Sequence, residues 1–130
     1  MTLDARGVAS LVGKSEWTLV DARAPERYRG ESEPIDKKAG HIPGAANHFF
    51  GWNLDERGTF RTPEELRAKL GETIGSKVAA DHIVCYCGSG VTACHNLLAL
   101  EHAGLKGAKL YPGSWSEWSG DPSRPVESGN

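Results

Sequence analysis

Short apolar runs alternate with amphipathic stretches along this chain, and the alternation predicts strands and helices in turn. Residues 17–20 (WTLV) form an apolar run ending at Asp21, with the length and flanks of a buried strand. Residues 24–28 (APERY) put Pro25 at a first helical position and can form one or two turns. Residues 45–50 (AANHFF) are a second, weaker strand. Thr62 reads as a helix N-cap, with Pro63 in the first turn and Glu65 closing a capping box; Leu66, Leu70 and Ile74 follow as a core-facing stripe. Residues 82–86 (HIVCY) make the next strand. Beyond it Ala93, Leu97 and Leu100 keep helical spacing, Cys94 and Leu98 widen that apolar face, and His95 and His102 fall opposite. Gly104 is the natural stop. Residues 109–111 are a last short strand, residues 114–118 (SWSEW) a helical turn with two tryptophans, and the polar tail from Ser119 a surface segment.

Strands alternating with helices imply parallel pairing and a three-layer α/β domain. With 130 residues the chain has the length of one domain, residues 1–130, able to bury a core without metal or disulfide staples. In such sheets ligands sit at the carboxyl ends of strands. The long loop over residues 30–44, with three glycines and two prolines, is a candidate functional segment. A net charge of −2 and no basic run beyond Lys37 and Lys38 leave no surplus for a nucleic-acid backbone. The N-terminus lacks a basic region followed by an apolar one, and no stretch approaches about 18 apolar residues, so neither a signal segment nor a membrane span is expected. Three cysteines, an odd number, make a poor disulfide framework. The expected setting is soluble, reducing and cytoplasmic.

Candidate chemistry centres on Cys87, which ends a strand and opens the run CGSGVTA before a helix. Backbone N–H groups of such a loop, together with the helix macrodipole, favour thiolate over thiol. Gly88 and Gly90 let the backbone turn its N–H groups inward, and Ser89 and Thr92 add hydroxyl donors. Cys85 and Cys87 do not read as a redox pair, because residues two apart on a strand lie about 6.6 Å from each other. Cys94 and His95 match no common zinc spacing, and Cys94 reads as a packing residue. A cysteine phosphatase needs an arginine six residues after the cysteine, where this chain has Ala93. Arg27 lies in the first βα segment, which parallel strands bring toward the edge that carries Cys87. Asp21 and Arg23 read as a structural pair, His41 as a turn residue, and Trp115 and Trp118 as core or lid aromatics.

Five blocks in order, LVDAR (19–23), ERYRG (26–30), GHIPGA (40–45), CGSGVTA (87–93) and GSWSEW (113–118), resemble the rhodanese superfamily of sulfurtransferases over nearly the whole chain. The chain is similar in particular to the catalytic, C-terminal half of two-domain thiosulfate and 3-mercaptopyruvate sulfurtransferases. The resemblance implies a five-stranded parallel sheet flanked by helices, Cys87 as persulfide carrier, Arg27 as the grip on a small anionic sulfur donor, and a substrate-binding loop of Gly88, Ser89, Gly90, Val91 and Thr92. It implies a thiol, thioredoxin among the candidates, or cyanide as acceptor, and no metal or organic cofactor. Uncharged residues after the cysteine resemble the mercaptopyruvate type rather than the thiosulfate type, whose loops carry basic residues. Against this, mercaptopyruvate enzymes have a second arginine where this chain has Ile35, leaving Lys37 or Lys38 to substitute. In two-domain relatives the other rhodanese domain covers the site and works with the serine equivalent to Ser89, so this chain is expected to be an excised domain or to act with an open site. The alternative is a noncatalytic rhodanese-fold module that binds a partner or senses redox state through Cys87.

Overall fold

In the computed structural model, which describes residues 2–14, 16–33, 36, 38–74, 79–88 and 92–129, the alternating pattern becomes a parallel sheet covered on both faces. The order is α1 (Ala5–Leu11), β1 (Thr18–Asp21), α2 (Pro25–Arg29), β2 (Ala46–Asn47), α3 (Pro63–Ile74), β3 (Ile83–Tyr86), α4 (Ala93–His102), β4 (Lys109–Leu110) and α5 (Ser114–Gly120), with 3-10 turns at Phe50–Asn53 and Ala80–His82. The sheet runs β2-β1-β3-β4, and every neighbouring pair is parallel. Asp21 is in register with Tyr86, so the segments after β1 and β3 leave the sheet at the same edge. No helix among the described residues is long and apolar enough to cross a membrane.

The described residues hold four strands rather than five. The fifth position is a single parallel bridge between Thr2 and Leu110, where Leu3 N–H donates to the Leu110 carbonyl at 2.8 Å. Asp4 ends it, because its carboxylate accepts from Gly7 N–H at 2.8 Å and starts α1 at once. The apolar pattern does not announce α1, since only Ala5 and Val8 of it are buried.

Alternate side chains along the central strands feed two cores, which is why these strands read as continuous apolar runs. Val20, Ile83 and Cys85 pack with Leu66, Leu70 and Leu100 under α3 and α4. Leu19, Val84 and Tyr86 pack with Ile42, Trp115 and Trp118 on the other face. The α3 capping box is present: Thr62 N–H donates to Glu65 Oε1 at 3.1 Å and Glu65 N–H to Thr62 Oγ1 at 3.2 Å. Gly104, at φ +86°, closes α4, and Leu105 N–H returns to the Leu100 carbonyl at 2.8 Å.

Two helix-face expectations fail on α4. Cys94 is exposed rather than packed, and Leu98 is 56% exposed. The buried stripe runs through Ala93, Asn96, Ala99 and Leu100, with a polar residue at its middle. Asn96 is admitted there because Nδ2 donates to the His48 carbonyl at 2.8 Å and Oδ1 accepts from Asn53 at 2.7 Å. The same contacts shorten β2 to Ala46–Asn47: His48 turns inward to Asn53 Oδ1 at 2.8 Å, and Phe50 begins a 3-10 turn.

The tail is more than a surface segment. Ser119 is buried inside α5, and residues beyond it run back over the loop around His41. His41 and Glu127 exchange backbone hydrogen bonds at 2.8 and 2.9 Å, while Trp118 Nε1 donates to the Pro125 carbonyl at 2.8 Å. His41 is a buried turn residue stacked on Tyr28 at 3.8 Å, its Nδ1–H donating to the Tyr28 carbonyl at 2.6 Å. Gly40 sits under this strap at φ +121°, and a Cβ there would collide with the Glu127 carbonyl and approach Val126 Cγ1 to 2.9 Å. Gly40→Ala therefore combines backbone strain with a steric clash and is expected to destabilise the fold by about 2–4 kcal/mol in urea unfolding.

Candidate functional site

Strand β3 is buried along its whole length and releases Cys87 at its carboxyl end, where the side chain is 1% exposed. The turn it enters is clamped by α5. Cys87 N–H donates to Ser114 Oγ at 3.1 Å, the Cys87 carbonyl accepts from Trp115 N–H at 2.8 Å, and the Gly88 carbonyl accepts from Ser116 N–H at 2.9 Å. Ser114 holds φ at +54°, a conformation costing about 1–2 kcal/mol for a residue with a Cβ. Its hydroxyl compensates, donating to the Tyr111 carbonyl at 2.9 Å while accepting from Cys87. Because the peptide is planar and trans, the Gly88 N–H points opposite to the Cys87 carbonyl, away from α5.

Arg27 reaches the same turn from α2, which Pro25 starts. A methyl group on Gly88 would lie 3.5 Å from both Nη1 and Nη2, so the guanidinium rests beside the residue that follows Cys87. Nη2 pairs with Glu33 Oε2 at 3.0 Å and with Asp36 Oδ2 at 3.5 Å. Nε is buried and has no hydrogen-bond partner among the described residues.

These carboxylates belong to a larger network. Glu33 also takes Arg23 Nη1 at 3.2 Å and the Asp36 N–H at 3.0 Å. Arg23 lies against Asp21, donates to the Gly40 carbonyl at 2.5 Å, and places its guanidinium 4.8 Å from the Trp115 ring centroid. Burial opposes the charge on Arg23, but the bonds and charge of Asp21 outweigh it and hold the guanidinium above its ordinary pKa. Asp36 Oδ1 accepts from Ser116 Oγ at 2.7 Å, and Trp115 Nε1 donates to the Lys38 carbonyl at 2.9 Å. The loop over residues 30–44 is thereby tied to both α2 and α5.

The structure brings together Cys87, Gly88 and Arg27. Thr92 is the N-cap of α4, half-buried, with no side-chain capping bond. Ser89, Gly90 and Val91, and also Ile35 and Lys37, lie outside the described residues. Lys38 uses its carbonyl on Trp115. Ala93 is fully buried in the first turn of α4, so the phosphatase arginine position is a packing position here. Cys85 points into the α3/α4 core, not toward a disulfide, and burial pushes its thiol from 9.0 to about 12. No group of three or more His, Cys, Asp or Glu residues among the described residues could hold a metal ion.

Sequence reasoning missed Ser114, Glu33 and Asp36. Ser114 stands between Gly113 and Trp115 at a strand-to-helix turn, a weak sign of positive φ. Glu33 and Asp36 are acidic residues in a polar loop, where carboxylates are ordinarily solvated. Their signal was the two arginines, Arg23 and Arg27, which a packed loop must neutralise.

Residues 4–121 match the Rhodanese-like domain family. The chain belongs to the rhodanese family. It is 48% identical over 130 residues to a protein of Pseudomonas aeruginosa named "Probable 3-mercaptopyruvate sulfurtransferase", covering 100% of this chain and 45% of the relative. It is 44% identical over 104 residues to "Thiosulfate sulfurtransferase" of Cricetulus griseus, covering 77% of this chain and 34% of the relative. The chain thus spans less than half the length of these relatives. Among solved structures it superposes on the persulfide form of EanB with ergothioneine at a TM-score of 0.86 and 25% identity, covering 99% of this chain and 32% of that one.

The buried Cys85 gives this rhodanese domain a pH signature. Its folded pKa is raised, so its contribution is complete below the ordinary pKa of 9.0 and is lost as pH rises toward 12, where the unfolded chain ionises first. The stability difference between the wild type and Cys85→Ala is therefore expected to shrink by about 1 kcal/mol per pH unit above pH 9. Urea unfolding of both proteins across this range measures it.

Proposed function

We propose that this chain is the catalytic half of a two-domain sulfurtransferase, moving sulfane sulfur from 3-mercaptopyruvate or thiosulfate through a Cys87 persulfide to a thiol or cyanide. The observation that carries this reading is Arg27 lying beside Gly88, immediately after a cysteine at the carboxyl end of β3. The Cys87 thiolate attacks the donor's outer sulfur and a new S–S bond forms. With thiosulfate the donor's own S–S bond breaks and sulfite leaves. With 3-mercaptopyruvate the C–S bond breaks, the electron pair passes to carbon, and a proton from water completes pyruvate. An acceptor thiolate or cyanide then takes the outer sulfur and restores the Cys87 thiolate.

In this mechanism Arg27 holds the donor's carboxylate or sulfonate end through the Nη1 and Nη2 edge that lies beside Gly88. The loop from Gly88 through Ser89, Gly90 and Val91 to Thr92 receives the anionic sulfur on N–H and hydroxyl groups. The names of the sulfurtransferase relatives and the persulfide recorded for EanB support the same chemistry. So does the clamp of α5 on Cys87 and Gly88, which fixes the nucleophile before a donor arrives.

Intact-mass measurement after incubation with each donor tests the reading. The wild type is expected to gain one sulfur atom and Cys87→Ser none; a chain that takes sulfur from neither donor is a noncatalytic module. Arg27→Ala removes a charge-assisted bond to the donor and is expected to lower kcat/KM roughly a hundredfold, read from the rate of pyruvate or sulfite release.

A further inference from the structure

The two carboxylates on Arg27 are held very differently. Glu33 is 3.0 Å from Nη2, 5% exposed, and fixed in addition by Arg23 and by the Asp36 N–H. Asp36 is 3.5 Å from the same nitrogen, at the outer limit of a hydrogen bond, and its other oxygen rests on the Ser116 hydroxyl at 2.7 Å. Asp36 can leave Arg27 without losing its remaining partner, whereas Glu33 cannot leave without giving up its bonds to Arg23 Nη1 and the Asp36 N–H. An anion that takes Arg27 therefore exchanges with Asp36 and stays within a few ångströms of its charge.

We infer that Asp36 is a specificity-determining residue of this site: the exchangeable counter-anion of Arg27, which weakens the site for every anion and weakens it most for doubly charged ones. The inference rests on the proposed role of Arg27 in holding the donor. The physical argument is Coulomb's law, in which the repulsion is proportional to the charge on the incoming group. Doubling that charge doubles the free-energy penalty and squares its effect on affinity. Side chains of Arg27 and Asp36 that are 21% and 10% exposed are only partly screened by water, so the penalty persists at ordinary salt. Asp36 thus favours a monocarboxylate donor such as 3-mercaptopyruvate over a dianion such as thiosulfate, from a direction independent of the uncharged residues after Cys87.

Calorimetric titration with two unreactive probes, pyruvate as monoanion and sulfate as dianion, tests this at neutral pH without turnover. Asp36→Asn keeps the shape of the side chain and removes its charge. It is expected to tighten pyruvate about threefold and sulfate about tenfold, the second close to the square of the first, while Asp36→Glu keeps the wild-type preference. The inference is overturned if Asp36→Asn loosens either anion, shifts both by one factor, or if no form of the protein binds either probe. Because the titration needs no sulfur transfer, its failure leaves the persulfide reading standing, and a wild type that gains no sulfur in the mass measurement fails that reading alone.

Discussion

A buried ion pair at the end of β1 organises the rest of the molecule. The side chains of Asp21 and Arg23 are 0% and 1% exposed, and taking two charges out of water is costly unless each remaining donor and acceptor is satisfied. Here they are. Asp21 accepts the Arg23 backbone N–H at 2.9 Å, Nε at 3.0 Å and Nη2 at 2.7 Å. Arg23 spends its other capacity on Glu33 and the Gly40 carbonyl, and lays its flat face near Trp115. The pair also sets its neighbours: burial, with Asp21 close by, holds Tyr86 far above its ordinary pKa, and the Tyr86 hydroxyl accepts the Ile42 N–H at 3.1 Å.

The candidate site follows from where those bonds point. Arg23 reaches one end of the long loop at Gly40 and another part of it at Glu33, so two points of the loop are fixed by one side chain. The C-terminal strap covers Gly40 from outside, and α5 holds the loop through Trp115 and Ser116 while also clamping the turn at Cys87. Arg27 is consequently confined between Glu33 and Gly88. The same helix thus holds both the turn at Cys87 and one counter-charge of the arginine beside it, Asp36, and a displacement of α5 would disturb the two together.

Patterns that depend on local chemistry were legible in the sequence. The α3 capping box lies within four residues, and β1 and β3 announce themselves because both faces are buried. Cys87 at a strand end, with Arg27 at the same edge, follows from parallel pairing alone. What escaped was non-local. Asn96 sits mid-stripe on α4 only because His48 and Asn53, more than forty residues earlier, meet its amide, and that pushes Cys94 and Leu98 outward. The tail reads as polar surface because its contacts are backbone bonds to His41, which composition does not report. Glu33 and Asp36 look like solvated loop acids until Arg23 and Arg27 are seen facing them.

The origin of the positive charge separates this site from a phosphatase more firmly than the missing arginine does. An arginine at position 93 would ride on the segment that follows Cys87, and an anion there would be encircled by one segment. With Ala93 packed in the core, the guanidinium beside Cys87 comes from α2, across the sheet edge, and arrives already paired. Among the described residues, the network of Asp21, Glu33 and Asp36 against Arg23 and Arg27 sets three carboxylates against two guanidiniums, a net charge of −1. If Asp36 acts as inferred, this arrangement disfavours a dianion more than a monoanion. In the proposed sulfur transfer an anion is held briefly, gives up one neutral sulfur atom, and must leave as an anion of the same charge. There a tighter grip on the donor would also be a tighter grip on the product, and uniform binding of that kind does not speed turnover.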